Sequence, residues 1–283
     1  MKLALVLIAL IILVSCTQET PEGPAPEPQT FIDVEMDKEQ DVRALPSGGE
    51  DDGKDMPQEF EQGCIQINQA YIDKMEAHAL FAKGCVEIAE DVSLSDIIVI
   101  RGSVVLDCNG HTLNGVEGKI GIRLEDESQA VNCTVNGAQN GFELYDKAVA
   151  RKCTANNSHG MGFYQRGSSS VVDCLALGNA KHGFFLEENA SVADSTARFN
   201  GRKERGYGFL LSQGSTAHDI KGNDNRFGAF VDSHGQSASI IDGEFCNNDE
   251  GDIIIKNGYV KGNFRVSTFS GEIDENLAVI IDC

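Results

Sequence analysis

The 283-residue chain carries 44 acidic against 23 basic side chains, a formal net charge of −21, with 30 Gly, 9 Cys, 6 Pro and no Trp. That charge repels phosphate backbones and argues against nucleic acid as a partner, while a hydrophobic fraction of 41% is that of a folded chain and argues against global disorder. Composition favours neutral or cationic partners and names no reaction.

In chain order, Lys2 precedes an uninterrupted apolar run from Leu3 to Val14, and the small Ser15 precedes Cys16. A bilayer core takes ~20 apolar residues, so this run is too short to span and residues 1–15 read as an export signal. Leu13-Val14-Ser15-Cys16 resembles the lipobox of prokaryotic lipoproteins. The resemblance implies cleavage before Cys16, lipid attachment to its thiol, and an extracytoplasmic protein tied to the membrane of a prokaryotic cell envelope. Residues 16–62 hold all six prolines, and from 17 onward 14 acidic residues stand against Lys38, Arg43 and Lys54. Such a segment buries too little apolar surface to offset its ordering entropy, and it reads as a disordered acidic tether.

Ile67, Tyr71, Ile72, Met75 and Ala79 recur at helical spacing and Gly84 supplies a stop. The pattern predicts an amphipathic helix over 68–83, inside a capping segment of residues 63–84. A straight helix there separates Cys64 from Cys85 by up to ~30 Å at ~1.5 Å per residue, which disfavours a bridge between them.

From Cys85 to the end at 283 the chain repeats. Cys108, Cys133, Cys153, Cys174, Ser195, Ile220 and Gly243 follow one another at steps of 25, 20, 21, 21, 25 and 23 residues. A second column, Gly121, Gly141, Gly162, Gly183, Gly208, Gly228 and Gly251, steps by 20, 21, 21, 25, 20 and 23. The first five glycines precede Ile122, Phe142, Phe163, Phe184 and Phe209. Two columns locked in phase mean one structural unit per repeat. Within a unit, runs such as Val131–Val135 and Gly141–Leu144 alternate with period two between Asn-Gly turns, and the Gly and Asn density forbids long helices. About 21 residues with two or three short strands make one coil of a parallel β-solenoid, in which equivalent side chains stack ~4.8 Å apart.

The segment Val104-Val105-Leu106-Asp107-Cys108-Asn109-Gly110-His111-Thr112-Leu113-Asn114-Gly115, followed by the Gly-Ile and Gly-Phe repeats, resembles right-handed parallel β-helix repeat proteins of the pectin-lyase-like superfamily. The resemblance covers about 85–283. It implies an all-β fold, a single-stranded right-handed parallel β-helix of about 21-residue coils behind a short N-terminal capping α-helix. It implies little about function, because that superfamily includes polysaccharide lyases, hydrolases, epimerases and adhesins as well as a copper-associated maturation family.

On this fold Cys133, Phe142 and Leu144 point inward, giving a sulfur column and a four-member Phe column. With Cys16 lipidated, eight cysteines remain. Stacked neighbours lie within disulfide reach, so Cys108–Cys133 and Cys153–Cys174 are one arrangement; buried free thiols acting as small apolar residues are the other. The residues just before the sulfur column, Asp107, Asn132, Lys152, Asp173, Asp194, Asp219 and Asp242, are expected to face outward. The run Asp173, Asp194, Asp219, Asp242 is a candidate Ca²⁺ ladder, against the alternative of a solvated column screened by salt.

The outward positions of the Gly-Phe strand read Arg123, Glu143, Tyr164, Phe185, Leu210 and Phe230, changing from charged to aromatic and apolar. Tyr164, Phe185, Leu210 and Phe230 form a candidate surface for sugar faces or an envelope protein, unless the N-terminal helix, a loop or another subunit covers them. Catalytic signals are thin. The pair Asp51-Asp52 lies in the tether, His159, His182 and His234 lack acidic partners in sequence, and no Cys, His or Met cluster has metal-ligand spacing. Lys147, Arg151, Lys152, Arg166 and Lys181 could form a local basic patch, but the overall acidity opposes polyuronate binding. The reading is a lipid-anchored, noncatalytic β-helix that binds glycans or an envelope partner; the alternative is a divergent polysaccharide lyase, hydrolase or epimerase.

Overall fold

Three short strands separated by tight bends make each turn of the chain. In one turn, Phe142–Leu144, Val149–Arg151 and Thr154–Asn156 are the strands, and the next turn repeats them as Phe163–Gln165, Ser170–Val172 and Leu175–Leu177. The computed structural model describes residues 64–74, 79–81, 84–233, 236–270, 277–280 and 283. The chain divides into two units, Met1–Pro57 and Gln58–Cys283, and the described residues belong to the second. The export signal, Cys16 and the acidic tether lie outside them.

Every strand pairs in parallel with its equivalent one turn on. Phe142 lies beside Phe163, Val149 beside Ser170, and Thr154 beside Leu175. Among the described residues the first strand of each turn builds a ten-stranded sheet, and the second and third together build a seventeen-stranded one. In the three-residue strands alternation sends both end residues of the first strand and the middle residue of the second and third inward, and the interior is a continuous apolar core. Its axis is the predicted Phe column: Phe142, Phe163, Phe184 and Phe209 are fully buried, with successive ring centroids 4.8, 4.9 and 4.8 Å apart and nearly parallel planes. The glycine column has a steric origin. A Cβ on Gly162 would stand 2.7 Å from the Gly183 carbonyl oxygen, and one on Gly183 would stand 2.6 Å from that of Gly208.

The column holds as far as Gly228, where the register corrects its last member. The Ala229 N–H bonds the carbonyl of Asp252, and Ala229 pairs with Ile253, so Asp252 and not Gly251 occupies the glycine slot of that coil. Asp252 is 2% exposed. Its carboxylate accepts from the Asn248 amide and from the backbone N–H groups of Ser267 and Thr268, which ties the following bend to the coil.

The bend before the sulfur column explains the polar residues there. Asn132, Lys152, Asp173, Asp194, Asp219 and Asp242 all have φ between +49° and +56°. This left-handed conformation is disfavoured for most L-residues and best tolerated by Gly, Asn and Asp, so the recurring acids are what the turn's backbone requires. Asp173, Asp194 and Asp219 are exposed and Asp242 half-buried, as expected of an outward column.

The N-terminal region departs from the predicted four-turn helix. The helix is the single turn Gln69–Ile72, capped by the Asn68 side chain, and Ala79–Phe81 is a strand that pairs with Ile98–Ile100. Ile65–Ile67 already pairs with Val86–Ile88, so the solenoid starts before residue 85. Cys64 and Cys85 are therefore equivalent residues of adjacent coils, with Cα atoms 4.7 Å apart, and they are bridged. The expectation against this bridge fails because its premise, a straight helix between the two, fails. Cys108–Cys133 and Cys246–Cys283 are also bridged, whereas Cys153 and Cys174 are buried free thiols. Three disulfides belong to a protein that folds in an oxidising, extracytoplasmic compartment.

A third internal column, not anticipated from the sequence, runs beside the glycines. Asn179, Asn200 and Asn225 are buried. The Asn200 amide donates to the Ala176 carbonyl of the preceding coil at 3.0 Å and to Asn225 Oδ1 at 2.9 Å. Asn200 Oδ1 accepts from the Asn179 N–H at 3.0 Å and from its side-chain amide at 2.9 Å. Asn248 continues the ladder by accepting the Asn225 N–H.

Candidate functional site: the outer face of the ten-stranded sheet

The Gly-Phe strands place alternate residues on the outer face, and their pairing puts Arg123, Glu143, Tyr164, Phe185, Leu210 and Phe230 in one row across successive coils. The predicted row is therefore a physical stripe. Its first end is polar and locked. Glu143 is 6% exposed, and its carboxylate accepts from Arg123 Nη2 at 2.9 Å, Asn140 Nδ2 at 2.9 Å and the Tyr145 hydroxyl at 3.0 Å. The Arg123 guanidinium also lies 5.5 Å from the Tyr145 ring centroid. With both oxygens engaged by three donors, Glu143 acts as a clamp between coils. Burial, then the adjacent Glu143, pushes the Tyr145 phenol up to about 12, so it remains a donor at neutral pH.

Aromatic rings follow without a break. Tyr145 meets Tyr164 edge-on at 6.0 Å, and Tyr164 lies 5.5 Å from Phe185. The Tyr164 hydroxyl donates to Glu187 at 2.8 Å; burial and that carboxylate raise its pKa. His182 lies 5.7 Å from Phe185 and stacks on Tyr207 at 5.6 Å with planes 3° apart. Tyr207 in turn lies 5.0 Å from Phe230 and 5.1 Å from Phe227. His182 Nδ1 accepts the Tyr207 N–H at 3.2 Å, which assigns the proton of the neutral ring to Nε2. Burial, helped by Lys181, pushes the His182 pKa down to about 4.

Tyr164, Phe185, Leu210 and Phe230 are all half-buried. What covers their edges is this set of neighbouring rings. The N-terminal helix does not cover them: Gln69 bonds the backbone of Ser93, and the helix packs against Val92–Ser93 of the other sheet. The sequence does not single out Tyr145, Tyr207 and Phe227, and it offers His182 only as a turn histidine, because these rings lie outside the outward register of the stripe. The band extends over five coils, a rise of ~19 Å at ~4.8 Å per coil.

The remaining candidates separate. Lys147 pairs with Glu127, Arg166 with Glu188 and Lys181 with Glu204, while Arg151 ends a strand of the seventeen-stranded sheet and Lys152 lies in the bend after it. The basic residues thus alternate with acids and form no continuous patch. His159 Nδ1 lies 3.8 Å from a Glu117 oxygen, and His234 is outside the described residues. Asp219 and Asp242 line an open depression of about 410 Å³ with Lys221, Glu244 and Asn263, on the seventeen-stranded sheet and apart from the aromatic band. Among the described residues no group of three or more His, Cys, Asp or Glu side chains is arranged to hold a metal ion. Two depressions of about 300 Å³ flank the polar end of the stripe, one lined by Tyr145, Arg166 and Glu188, the other by Asp126, Glu127 and Lys147.

A parallel solenoid with an aromatic outer face defines the class of protein, and the family follows from the sequence it is built on. Residues 95–248, more than half of the chain, match the family described as right handed beta helix region, and the chain belongs to that family. Among solved structures, it is similar to the enzymatically active domain of tailspike protein 2 of Bacteriophage CBA120, at 10% identity and a TM-score of 0.47, over 70% of this chain and 39% of that one. It is also similar to the A-module of the mannuronan C-5 epimerase AlgE4 of Azotobacter vinelandii, at 15% identity and a TM-score of 0.39, over 70% of this chain and 72% of that one. The chain thus spans well under half the length of the tailspike structure, and at these identities the likeness is one of fold. No curated protein matches the chain.

Proposed function

We propose that the protein is a lipid-anchored, noncatalytic binding module of a prokaryotic cell envelope whose ten-stranded face takes neutral glycans. The observation that carries the reading is the half-exposed band Tyr164, Phe185, Leu210 and Phe230, extended by His182 and Tyr207. Flat aromatic faces suit the apolar faces of sugar rings. A net charge of −21, with Lys147, Arg166 and Lys181 each paired to an acid, supports neutral over polyanionic ligands. The three donors on Glu143 leave no free carboxylate in the stripe, which supports binding without turnover. Cys16, at the end of Leu13-Val14-Ser15-Cys16, would carry the lipid.

A glycan-array screen with product detection on every positive glycan tests the ligand. Binding without product is expected, weakened about tenfold in Phe185→Ala, the equivalent of ~1.4 kcal/mol. Turnover would replace the reading with that of an enzyme, and binding only to an envelope protein would replace the ligand class. Cys16→Ser tests the anchor: the variant should leave the detergent phase, and unchanged partitioning would exclude lipidation.

A further inference from the structure

We propose that Cys153 and Cys174, free thiols in this structure, are joined in the exported protein by a fourth disulfide, closed while the chain folds in its oxidising compartment. Cys133, Cys153 and Cys174 occupy one inward position on three successive coils, and Cys108 is buried in the corresponding bend one coil earlier. The pairings of the following residues, Thr134 with Thr154 and Thr154 with Leu175, fix that register. In this column the bridge between Cys108 and Cys133 already closes across adjacent coils with Cα atoms 4.7 Å apart, inside the ~4.4 to 6.8 Å that a disulfide allows. Cys153 and Cys174 are in-register neighbours on adjacent coils, the relation of Cys64 to Cys85, which are bridged with Cα atoms 4.7 Å apart. The Cys153 N–H donates to Cys174 Sγ at 3.2 Å, and the two sulfurs lie in matching places, each 3.2 Å from the carbonyl two residues before it. Once Cys108 and Cys133 are joined, the column's two remaining sulfurs are neighbours.

The column also suggests a rival role. Ser195 follows Cys174, and its Oγ accepts the Cys174 N–H at 3.1 Å as Cys174 Sγ accepts that of Cys153. If the thiols merely satisfy backbone donors, serine would serve equally well.

Closure needs a disulfide donor of the compartment, a small-molecule or protein disulfide. The thiolate of one cysteine attacks the donor, forms a mixed disulfide and releases one donor thiolate; the second cysteine then attacks the first sulfur and releases the other. The cysteines lose two electrons and two protons, and the donor gains both as two thiols. In the folded protein Cys153 is 1% and Cys174 4% exposed. Burial, and Cys153 beside it, push the Cys174 thiol up, so the attacking thiolate is suppressed after folding. The bond must therefore close before the coils stack.

The test is peptide mapping of the full chain exported through an oxidising compartment. The protein is unfolded in guanidinium with iodoacetamide and no reductant, then cut with trypsin, which separates the two cysteines at Arg166. A linked peptide joining Cys153 to Cys174, with Cys108 linked to Cys133, is the expected result. Alkylation of Cys153 and Cys174, or a Cys133–Cys153 link, would overturn the proposal. The double variant Cys153→Ser/Cys174→Ser should lower Tm in oxidised samples and match the parent chain once reductant opens all bridges; equal Tm in oxidised samples would leave only the serine-like role.

Discussion

Replacing Asn200 by Ala isolates what the internal amide ladder contributes. Asn200 is fully buried and its side chain takes part in four hydrogen bonds of 2.9 to 3.0 Å. In Asn200→Ala the Asn179 N–H loses its acceptor, at ~1 to 3 kcal/mol for a buried donor left unpaired. The other three bonds are worth roughly 0.5 to 1.5 kcal/mol each net, and their loss is not fully additive, so the total is about 3 to 5 kcal/mol. The contrast is Asn136, in a parallel ladder of amides on the outside of the solenoid. It bonds Asn114 at 3.3 Å and Asn157 at 3.4 Å, both where water competes. Asn136→Ala should cost about 0.5 kcal/mol. Urea unfolding of both variants, with unchanged m values, gives the comparison. If the two costs agree within about 1 kcal/mol, burial is not what gives the inner ladder its strength and the reasoning fails.

Phe163→Ala removes the middle of a stack with neighbours at 4.8 and 4.9 Å and should cost ~3 to 5 kcal/mol in the same assay; a loss below ~1 kcal/mol would mean the coil collapses around the gap. Gln165 is fully buried between Leu144 and Leu186, and neither its amide oxygen nor its nitrogen has a partner, so Gln165→Leu should stabilise by ~1 to 3 kcal/mol. A destabilised variant would show that the amide is in fact satisfied. For His182 the folded pKa of about 4 lies below the unfolded value near 6.5, so the unfolded chain binds the extra proton first. Its contribution is complete above pH ~6.5 and is lost as pH falls towards 4, so His182→Phe should show a smaller drop in Tm between pH 7 and 5 than the parent chain. An equal drop would assign the pH dependence to other groups.

The coil length, the inward Phe column and the outward stripe were legible because a solenoid converts sequence period directly into spatial neighbours. Asn179, Asn200, Asn225 and Asn248 repeat at 21, 25 and 23 residues, the same steps as Cys174, Ser195, Ile220 and Gly243, yet the sequence hides them. Asparagine beside glycine reads as turn chemistry, and burial is what turns it into a ladder. In the sequence Asp173, Asp194, Asp219 and Asp242 look like a charge pattern, whereas the backbone conformation of their bends accounts for them, and positive φ at Lys152 shows that the turn persists even where the side chain is wrong for it. At the N-terminus, Tyr71 and Ile72 do sit in a helix, but the periodic signal ran on into Ala79–Phe81, which the second coil recruits as a strand. Local pattern lost there to pairing with Ile98–Ile100.

These constraints also locate where the molecule is free to specialise. Inward positions are fixed by core packing, the glycine slots by the approach of the next carbonyl, and the bends by positive φ. On the outer face of the ten-stranded sheet those demands lapse: the register accepts Arg123, Glu143, Tyr164, Phe185, Leu210 and Phe230 in succession without a break in pairing. This row, left open by the backbone, changes from a satisfied ion cluster to contiguous rings, and it is the face on which the glycan-binding proposal rests. Half-buried rings contribute less to the fold than fully buried ones, so Phe185→Ala should cost less stability than Phe163→Ala in the urea assay, and equal costs would show that the stripe is held by folding alone.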